Sequence, residues 1–261
     1  MSPKVTLYMF PGSNAVYTAR LMLDHKGIDY KLVKMLPGVH AITLLARGFP
    51  TMAAPALKAD GVRVQGTRWI ARALDGIVPE RPLFPADPVQ RRAVEDAERW
   101  GEGLQNATRR IFYCLARRDH RAFTSLMTAE RGPVKRIVVR MSAPIVLRLA
   151  AGVHRATDEH GREDVELLPE RLDLIDAWIE EGLLNGPELN AADFQIAANV
   201  AALMLADDLR PFIEGRPAAA LARRVAPAYQ GHIERGLPRE WLEPLRTSAS
   251  VREAERIGAP A

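Results

Sequence analysis

The sequence predicts a two-domain protein, an α/β domain over residues 1–78 followed by an all-helical domain over residues 89–240. Strand-like and helix-like patterns alternate as far as residue 78. Strand signals then nearly vanish, and apolar residues recur at helical spacing. Between the two patterns, residues 79–88 contain four prolines, which neither a helix nor a central strand accommodates. A chain of 261 residues is long enough for two cores.

The first domain shows a regular succession of elements. A short apolar run predicts a strand over residues 5–10, and Pro11-Gly12 ends it. A helix follows from Asn14 and ends at Lys26-Gly27, which supplies a terminal cation and a glycine. The remaining predicted elements are a strand over 29–35, a short helix over 40–47, a hairpin over 54–64 with an Asp-Gly turn, and a helix over 67–74.

The resulting order, β-α-β-α-β-β-α, contains one crossover and ends in a hairpin and a helix. A βαβ crossover makes two strands parallel, whereas a hairpin makes two antiparallel, so a mixed sheet flanked by helices is expected. This order is that of a thioredoxin-like domain.

The second domain is predicted to consist of helices only. Apolar spacing indicates helices over residues 89–117, 134–156, 168–181, 191–206 and 218–233. The polar tail over residues 241–261 is expected to be loosely held. Phe84 stands alone as a large apolar residue in the linker, where it is expected to wedge between the domains.

Composition excludes several functions. A single cysteine, Cys114, allows neither an internal disulfide nor a Cys-x-x-Cys redox pair, so a reactive thiol must come from a ligand. The net charge is only +4 and basic residues are interspersed with acidic ones, which gives nucleic-acid binding no support. No leader or membrane-spanning run is evident, so a cytoplasmic location is expected.

The turn at Pro11-Gly12-Ser13 is the first candidate site. It joins a strand to a helix, so the Ser13 hydroxyl and the first free N–H groups of the helix are expected to point to one place. An anion or a thiolate bound there would be stabilised. The alternative is that Ser13 only caps the helix.

This segment resembles the opening strand, active-site turn and first helix of bacterial and insect glutathione S-transferases, in Leu7-Tyr8, Pro11-Gly12-Ser13, Ala19-Arg20-Leu21 and Lys26-Gly27-Ile28. The resemblance implies the glutathione-transferase fold. It also implies that Ser13, at the position of the catalytic hydroxyl in serine-type classes, donates a hydrogen bond to the sulfur of glutathione and favours the thiolate. Tyr8 and Tyr17 are reserve candidates for this role.

Two further motifs carry the resemblance. Ala54-Pro55-Ala56-Leu57 is similar to the family's Val-Pro-Ala-Leu, which implies a cis proline and a main chain that pairs with the cysteinyl part of glutathione. Gln65-Gly66-Thr67 stands where the family has Glu-Ser and binds the γ-glutamyl group, with Gln65 in place of the acid. The predicted glutathione-binding residues are Asn14, His40, Ala54, Pro55, Gln65, Gly66 and Thr67.

Two other sets of residues are not assigned to the glutathione site. Asn190 and Asp193 have the spacing of a capping box and resemble the box of the family's central helix. The six histidines show no spacing that brings three ligands together, so no metal site is predicted.

The resemblance therefore implies a glutathione-dependent transferase that accepts a hydrophobic electrophile, with glutathione as cosubstrate, and a homodimer. Two alternatives stay open: a non-catalytic carrier of apolar ligands with the same fold, and a transferase that uses another small thiol.

Overall fold

The computed structural model of the protein describes residues 3–9, 12–35, 40–119, 133–227 and 231–256. Its first domain contains one mixed sheet in the order β2-β1-β3-β4, in which β1 is parallel to β2 and antiparallel to β3. The predicted thioredoxin-like order is thus confirmed. The strands are β1 (Val5–Met9), β2 (Tyr30–Lys34), β3 (Ala56–Ala59) and β4 (Val62–Gln65), and the helices are α1 (Asn14–His25), α2 (His40–Ala46) and α3 (Thr67–Ile77).

Alternation along β1 divides the first domain into two packed layers. Val5, Leu7 and Met9 join the large core that also contains residues of α1, α3 and the helical domain. Tyr8 lies in a separate small cluster with residues of α2 and the loop after it. Successive side chains of a strand point to opposite faces, which is why helices can cover both faces of the sheet.

The linker is held by one buried ion pair. Lys26 Nζ lies 2.7 Å from Asp75 and also donates to the carbonyls of Glu80 and Arg81. Asp75 in turn accepts from the N–H groups of residues 83 and 84. Phe84 is buried, as expected, between the guanidinium groups of two arginines, one on α3 and one on the following helix. The proline-rich segment is therefore fixed in position.

The second domain is mostly helical in its described residues, as predicted, and a single β-bridge recorded there pairs Ala206 with Ile233. Its elements are α4 (Pro88–Arg118), α5 (Pro133–Val153), α6 (Asp158–Glu166), α7 (Leu168–Glu180), α8 (Ala191–Leu203), α9 (Arg210–Ile213), α10 (Pro217–Val225), a 3₁₀ helix (Arg239–Leu242) and α11 (Glu243–Arg256). Helix α8 is central, and every one of its residues is buried. It packs against α4, α10 and α1.

The predicted capping box begins α8. The Asn190 side chain accepts from the N–H of Asp193, and the Asp193 carboxylate accepts from the N–H of Asn190 at 2.9 Å. Asp193 also accepts from the N–H of Asn185 at 2.6 Å. This carboxylate is completely buried, so these main-chain donors replace the water that it loses on folding.

Three predictions about the helical domain were wrong. Helix α10 ends at Val225 instead of residue 233, because Ala226 precedes a proline and leaves the helical conformation. Helix α6, whose pattern is mostly polar, was missed. The chain beyond Trp241 is not loosely held as far as the structure describes it. Trp241 and Leu245 are buried, and the last helix continues to residue 256.

Within the described residues, no helix is long and apolar enough to span a bilayer.

Candidate functional site

Three segments predicted to form the site meet at one end of the sheet, where neighbouring strands begin or end. Residue Tyr8 pairs with Ala56, and Ala56 pairs with Gln65, so the end of β1, the start of β3 and the end of β4 are neighbours. The N–H of Gly66 donates to the carbonyl of Pro55 at 3.0 Å, which ties the two later segments together. Helices α1 and α3 follow β1 and β4, so both helices begin at this same end of the sheet.

Ser13 is the N-cap of α1, with extended backbone and a half-buried side chain. Its Oγ accepts from the N–H of Val16 at 3.4 Å, longer than an ordinary hydrogen bond. Because the oxygen acts as acceptor in this contact, the hydroxyl proton can be donated elsewhere. Ser13 therefore caps the helix, and it can still donate its proton to a thiolate as predicted. Pro11 of the same turn lies outside the described residues.

Asn14 differs from its prediction as a ligand-binding residue. Its side chain is buried, and its Nδ2 donates to Oδ1 of Asn199 on α8 at 2.6 Å. Its own Oδ1 accepts from the N–H of Ala15 at 3.0 Å. The amide therefore joins the two domains and faces the helical core.

The contact of Asn14 continues into a buried polar chain that sequence reasoning missed. Asn199 Nδ2 donates to the carbonyl of Gln195 at 2.6 Å, and Gln195 Nε2 donates to Oε1 of Gln105 on α4 at 3.0 Å. Side-chain amides thus connect the residue beside Ser13 to two helices of the second domain. The signal was two amides, Gln195 and Asn199, spaced four residues apart in an otherwise apolar helix.

Gln65 is fully used in shaping a loop. Its Oε1 accepts from both the N–H and the hydroxyl of Thr51, at 3.0 and 2.9 Å. Its Nε2 donates to the carbonyls of Thr51 and Ala53, at 2.9 and 2.8 Å. All strong hydrogen-bonding positions of the amide are occupied, so Gln65 supports the loop before Pro55 and would have to give up a bond to reach a ligand.

The other residues predicted to contact glutathione differ in how much of each is open to a ligand. The Ala54–Pro55 peptide bond is cis, as predicted. Within the part of the chain that the structure describes, the main-chain groups of Ala54 form no hydrogen bond. Gly66 caps α3 with φ +85°, a backbone region that side-chain-bearing residues rarely adopt. Thr67 begins the helix and its side chain is buried.

His40 begins α2 and is half-buried. Burial lowers the pKa of its imidazole from the usual value, so it is neutral at neutral pH. A neutral ring can donate one hydrogen bond to a carboxylate but supplies no positive charge.

The two reserve candidates belong to the packing. The Tyr8 ring is buried and meets Phe49 edge-on at a centroid distance of 5.3 Å, on the face of the sheet that α2 covers. Tyr17 is half-buried against the large core. Ser13 therefore remains the residue of this turn whose environment suits it best to the predicted chemistry.

Comparison with known proteins supports the same family. Residues 7–82 match the profile of the glutathione S-transferase N-terminal domain. The sequence has no significant match among curated proteins.

The fold is shared with several solved structures. A beta-etherase from Sphingobium sp. strain SYK-6 is 17% identical with a TM-score of 0.62, over 85% of this chain and 95% of the other. A glutathione S-transferase from Sinorhizobium meliloti is 21% identical with a TM-score of 0.57, over 87% and 90%. A third, from Methylobacterium radiotolerans in complex with glutathione sulfonate, is 21% identical with a TM-score of 0.51, over 90% and 97%.

Proposed function

Because residues 7–82 match the profile of the glutathione S-transferase N-terminal domain, we propose that this protein is a glutathione-dependent transferase in which Ser13 stabilises the thiolate. The observation that carries the proposal is the Ser13 hydroxyl. It stands at the N-terminus of α1, and because its oxygen accepts from the N–H of Val16 its proton is available to another acceptor.

The chemistry follows from these groups. The hydroxyl donates to the thiolate more strongly than to the thiol, because a charged acceptor makes the stronger hydrogen bond. The positive end of the α1 dipole favours the same charge. The thiolate is the nucleophilic form, so a lower thiol pKa at this place raises the rate of attack on an electrophile held nearby.

Main-chain groups are proposed to hold the peptide part of the thiol. The N–H and carbonyl of Ala54, unpaired in the described chain, lie just before β3, beyond the last pair that β3 makes with β1, and suit pairing with an extended ligand. Gly66 and the main chain at the start of α3 lie next to them. The neutral imidazole of His40 is proposed to donate a hydrogen bond to the ligand's glycine carboxylate.

One observation favours a second candidate, a carrier or a transferase for another thiol. The side chains of Gln65 and Asn14 are both committed to internal contacts. Within residues 51–68 only Asp60 is acidic, and it lies at the opposite end of the β3–β4 hairpin. Recognition of the γ-glutamyl ammonium therefore lacks the carboxylate that the family ordinarily provides.

A matched pair of thiols tests the proposal. We expect calorimetry to show glutathione binding, and steady-state kinetics to show its conjugation to 1-chloro-2,4-dinitrobenzene. Cysteinylglycine, which lacks the γ-glutamyl group, should bind within about tenfold of glutathione if the missing carboxylate matters, a difference of about 1.4 kcal/mol. Binding without turnover would favour the carrier, and binding of neither thiol would contradict the proposal.

We also propose that the protein is a homodimer, on the support of an exposed apolar row on α5 and an exposed tryptophan on α3. Helix α5 presents Met141, Ile145, Leu149 and Val153 at four-residue spacing, each 66–79% exposed. On α3, the Trp69 side chain is 67% exposed. An apolar row of this length on one helix is typical of an interface.

Light scattering at micromolar concentration should give about twice the chain mass of 28.9 kDa. Leu149→Glu should shift the mass toward the monomer, because it places a charge in the apolar row. Val251→Glu, at an exposed position on α11, is the matched control and should leave the mass unchanged. A wild-type mass that stays at the monomer value as concentration rises would contradict the dimer.

A further inference from the structure

A half-buried arginine on α4 lacks an acidic partner. Arg109 Nη1 donates to the neutral Asn106 side chain at 3.0 Å, and within the described residues no carboxylate lies within ion-pair distance of it. Glu102, two turns earlier, pairs with Arg68 instead. By contrast Arg110, the next residue, binds Asp164 through two nitrogens at 2.6 and 2.8 Å. Among the described residues the Arg109 guanidinium therefore forms no ion pair, on a helix whose other half-buried arginine is paired with a carboxylate.

Two neutral rings lie beside this charge. Tyr113, one turn after Arg109, stacks on His154 at the end of α5, with ring centroids 5.5 Å apart and planes 11° from parallel. Burial and the charge of Arg109 lower the pKa of His154 to about 4. Burial raises the pKa of Tyr113. At neutral pH the Arg109 cluster, defined as Arg109, Tyr113 and His154, thus carries one positive charge next to a pair of stacked aromatic rings.

The cluster is connected along α4 to a chain of hydrogen bonds that reaches the domain interface. Arg109 follows Gln105 by one helical turn, or about 6 Å along the axis of α4. Gln105 ends the chain of buried amides that begins at Asn14, the residue after Ser13. The α4 surface that carries Arg109 therefore starts where the helical domain meets the turn of the proposed thiol site.

We infer that the Arg109 cluster binds an anionic group, and that the second substrate is an electrophile carrying a carboxylate. That the anion is a substrate rests on the proposed function. The anion site itself is inferred from the geometry of α4 and α5. A half-buried cation is stabilised by an anion that replaces the water it has lost. Guanidinium binds a carboxylate in a bidentate manner, and the stacked rings supply a flat apolar contact for an aromatic acid.

The test compares 4-chloro-3-nitrobenzoate with 4-chloro-3-nitrobenzamide. In both, the thiolate sulfur attacks the carbon that bears chlorine, the carbon–sulfur bond forms and chloride leaves. The two differ in charge, so kcat/KM is divided by the rate with free glutathione in buffer to remove intrinsic reactivity. Arg109→Gln should lower the normalised kcat/KM for the benzoate about 10- to 100-fold, the loss expected for a hydrogen-bonded charged pair. The benzamide should change by less than about threefold.

Two further variants keep the result interpretable. Arg109→Lys retains the charge without the fork geometry and should fall between wild type and Arg109→Gln. Arg92→Gln removes an exposed arginine from the same helix and should leave the normalised kcat/KM unchanged for both substrates. Circular dichroism and thermal unfolding check that each variant folds.

A binding measurement separates this inference from the proposed function. Calorimetry with 4-nitrobenzoate needs no thiol and no turnover, and Arg109→Gln should weaken binding by the same factor as it lowers the benzoate kinetics. If the wild-type protein neither binds glutathione nor turns over either acceptor, the proposed function is contradicted but the anion site is not. Unchanged 4-nitrobenzoate affinity in Arg109→Gln, equal effects on both acceptors, or weaker binding of glutathione only would overturn the anion site.

Discussion

Ser13→Ala is expected to lower kcat about 10- to 100-fold while the affinity for glutathione changes little, because the lost hydrogen bond acts mainly on the thiolate. A hydrogen bond to a charged acceptor contributes about 1.5–3 kcal/mol. Since one pKa unit corresponds to 1.36 kcal/mol, the bound thiol should titrate about one to two units higher in the variant. The acid limb of the kcat profile should move to higher pH by the same amount, which steady-state kinetics from pH 5 to 9 would show.

Two controls separate the chemistry of Ser13 from its role as a helix cap. Glycine caps almost as well as serine but has no hydroxyl, so Ser13→Gly should lose turnover as Ser13→Ala does while keeping more stability. Ser13→Thr retains the hydroxyl and should retain a larger share of the activity. Turnover that is unchanged across the pH range in both the alanine and the glycine variant would remove Ser13 from the mechanism.

Gly161→Ala is expected to destabilise the helical domain, because α6 passes very close to α4 at this residue. A Cβ at position 161 would lie 2.5 Å from the Sγ of Cys114 and 3.2 Å from the Trp241 ring. Relief of such an overlap in a packed core costs typically 1–3 kcal/mol, against a gain of up to about 1 kcal/mol from the higher helix propensity of alanine. Urea unfolding should therefore show a net loss of free energy of unfolding.

The same contact predicts a rescue. Cys114→Ala removes the sulfur atom that the new methyl group would meet, so the double variant should recover a coupling energy of about 1 kcal/mol or more. Gly103→Ala, on α4 with nothing within 4 Å of the added Cβ, is the matched control and should be neutral or stabilising. A Gly161→Ala protein as stable as Gly103→Ala, or one that Cys114→Ala fails to rescue, would show that the helices do not approach this closely.

Cys114 illustrates why the helical domain could be predicted only in part from the sequence. The sequence excluded a disulfide but said nothing of where the thiol lies. In the structure it is buried against α6, and burial raises its pKa, so it is a packing residue with little thiolate. Helix α6 was missed because its residues are mostly polar. It is stabilised by tertiary contacts, among them two hydrogen bonds from Arg110 to Asp164.

The site shows the same division. Ser13 and the cis Ala54–Pro55 bond were predictable because each depends on a local motif and on the order of neighbouring elements. The true environments of Asn14 and Gln65 were not. One amide binds a residue 185 positions away, and the other closes a loop 12 to 14 positions earlier.

The sequence by itself determined the mixed sheet, the proline-rich linker, the capping box of α8 and the serine at the start of α1. These features depend on apolar periodicity, on the restricted backbone of proline and on cap chemistry, all of which act over a few residues. Only the tertiary structure decided that Asn14 joins the domains, that the chain from Trp241 onward packs on the helical domain, and that Arg109 forms no ion pair with any described carboxylate. The reason is physical. Burial and pairing of a polar group depend on which distant elements pack against it, and local residue patterns do not encode that distance in space.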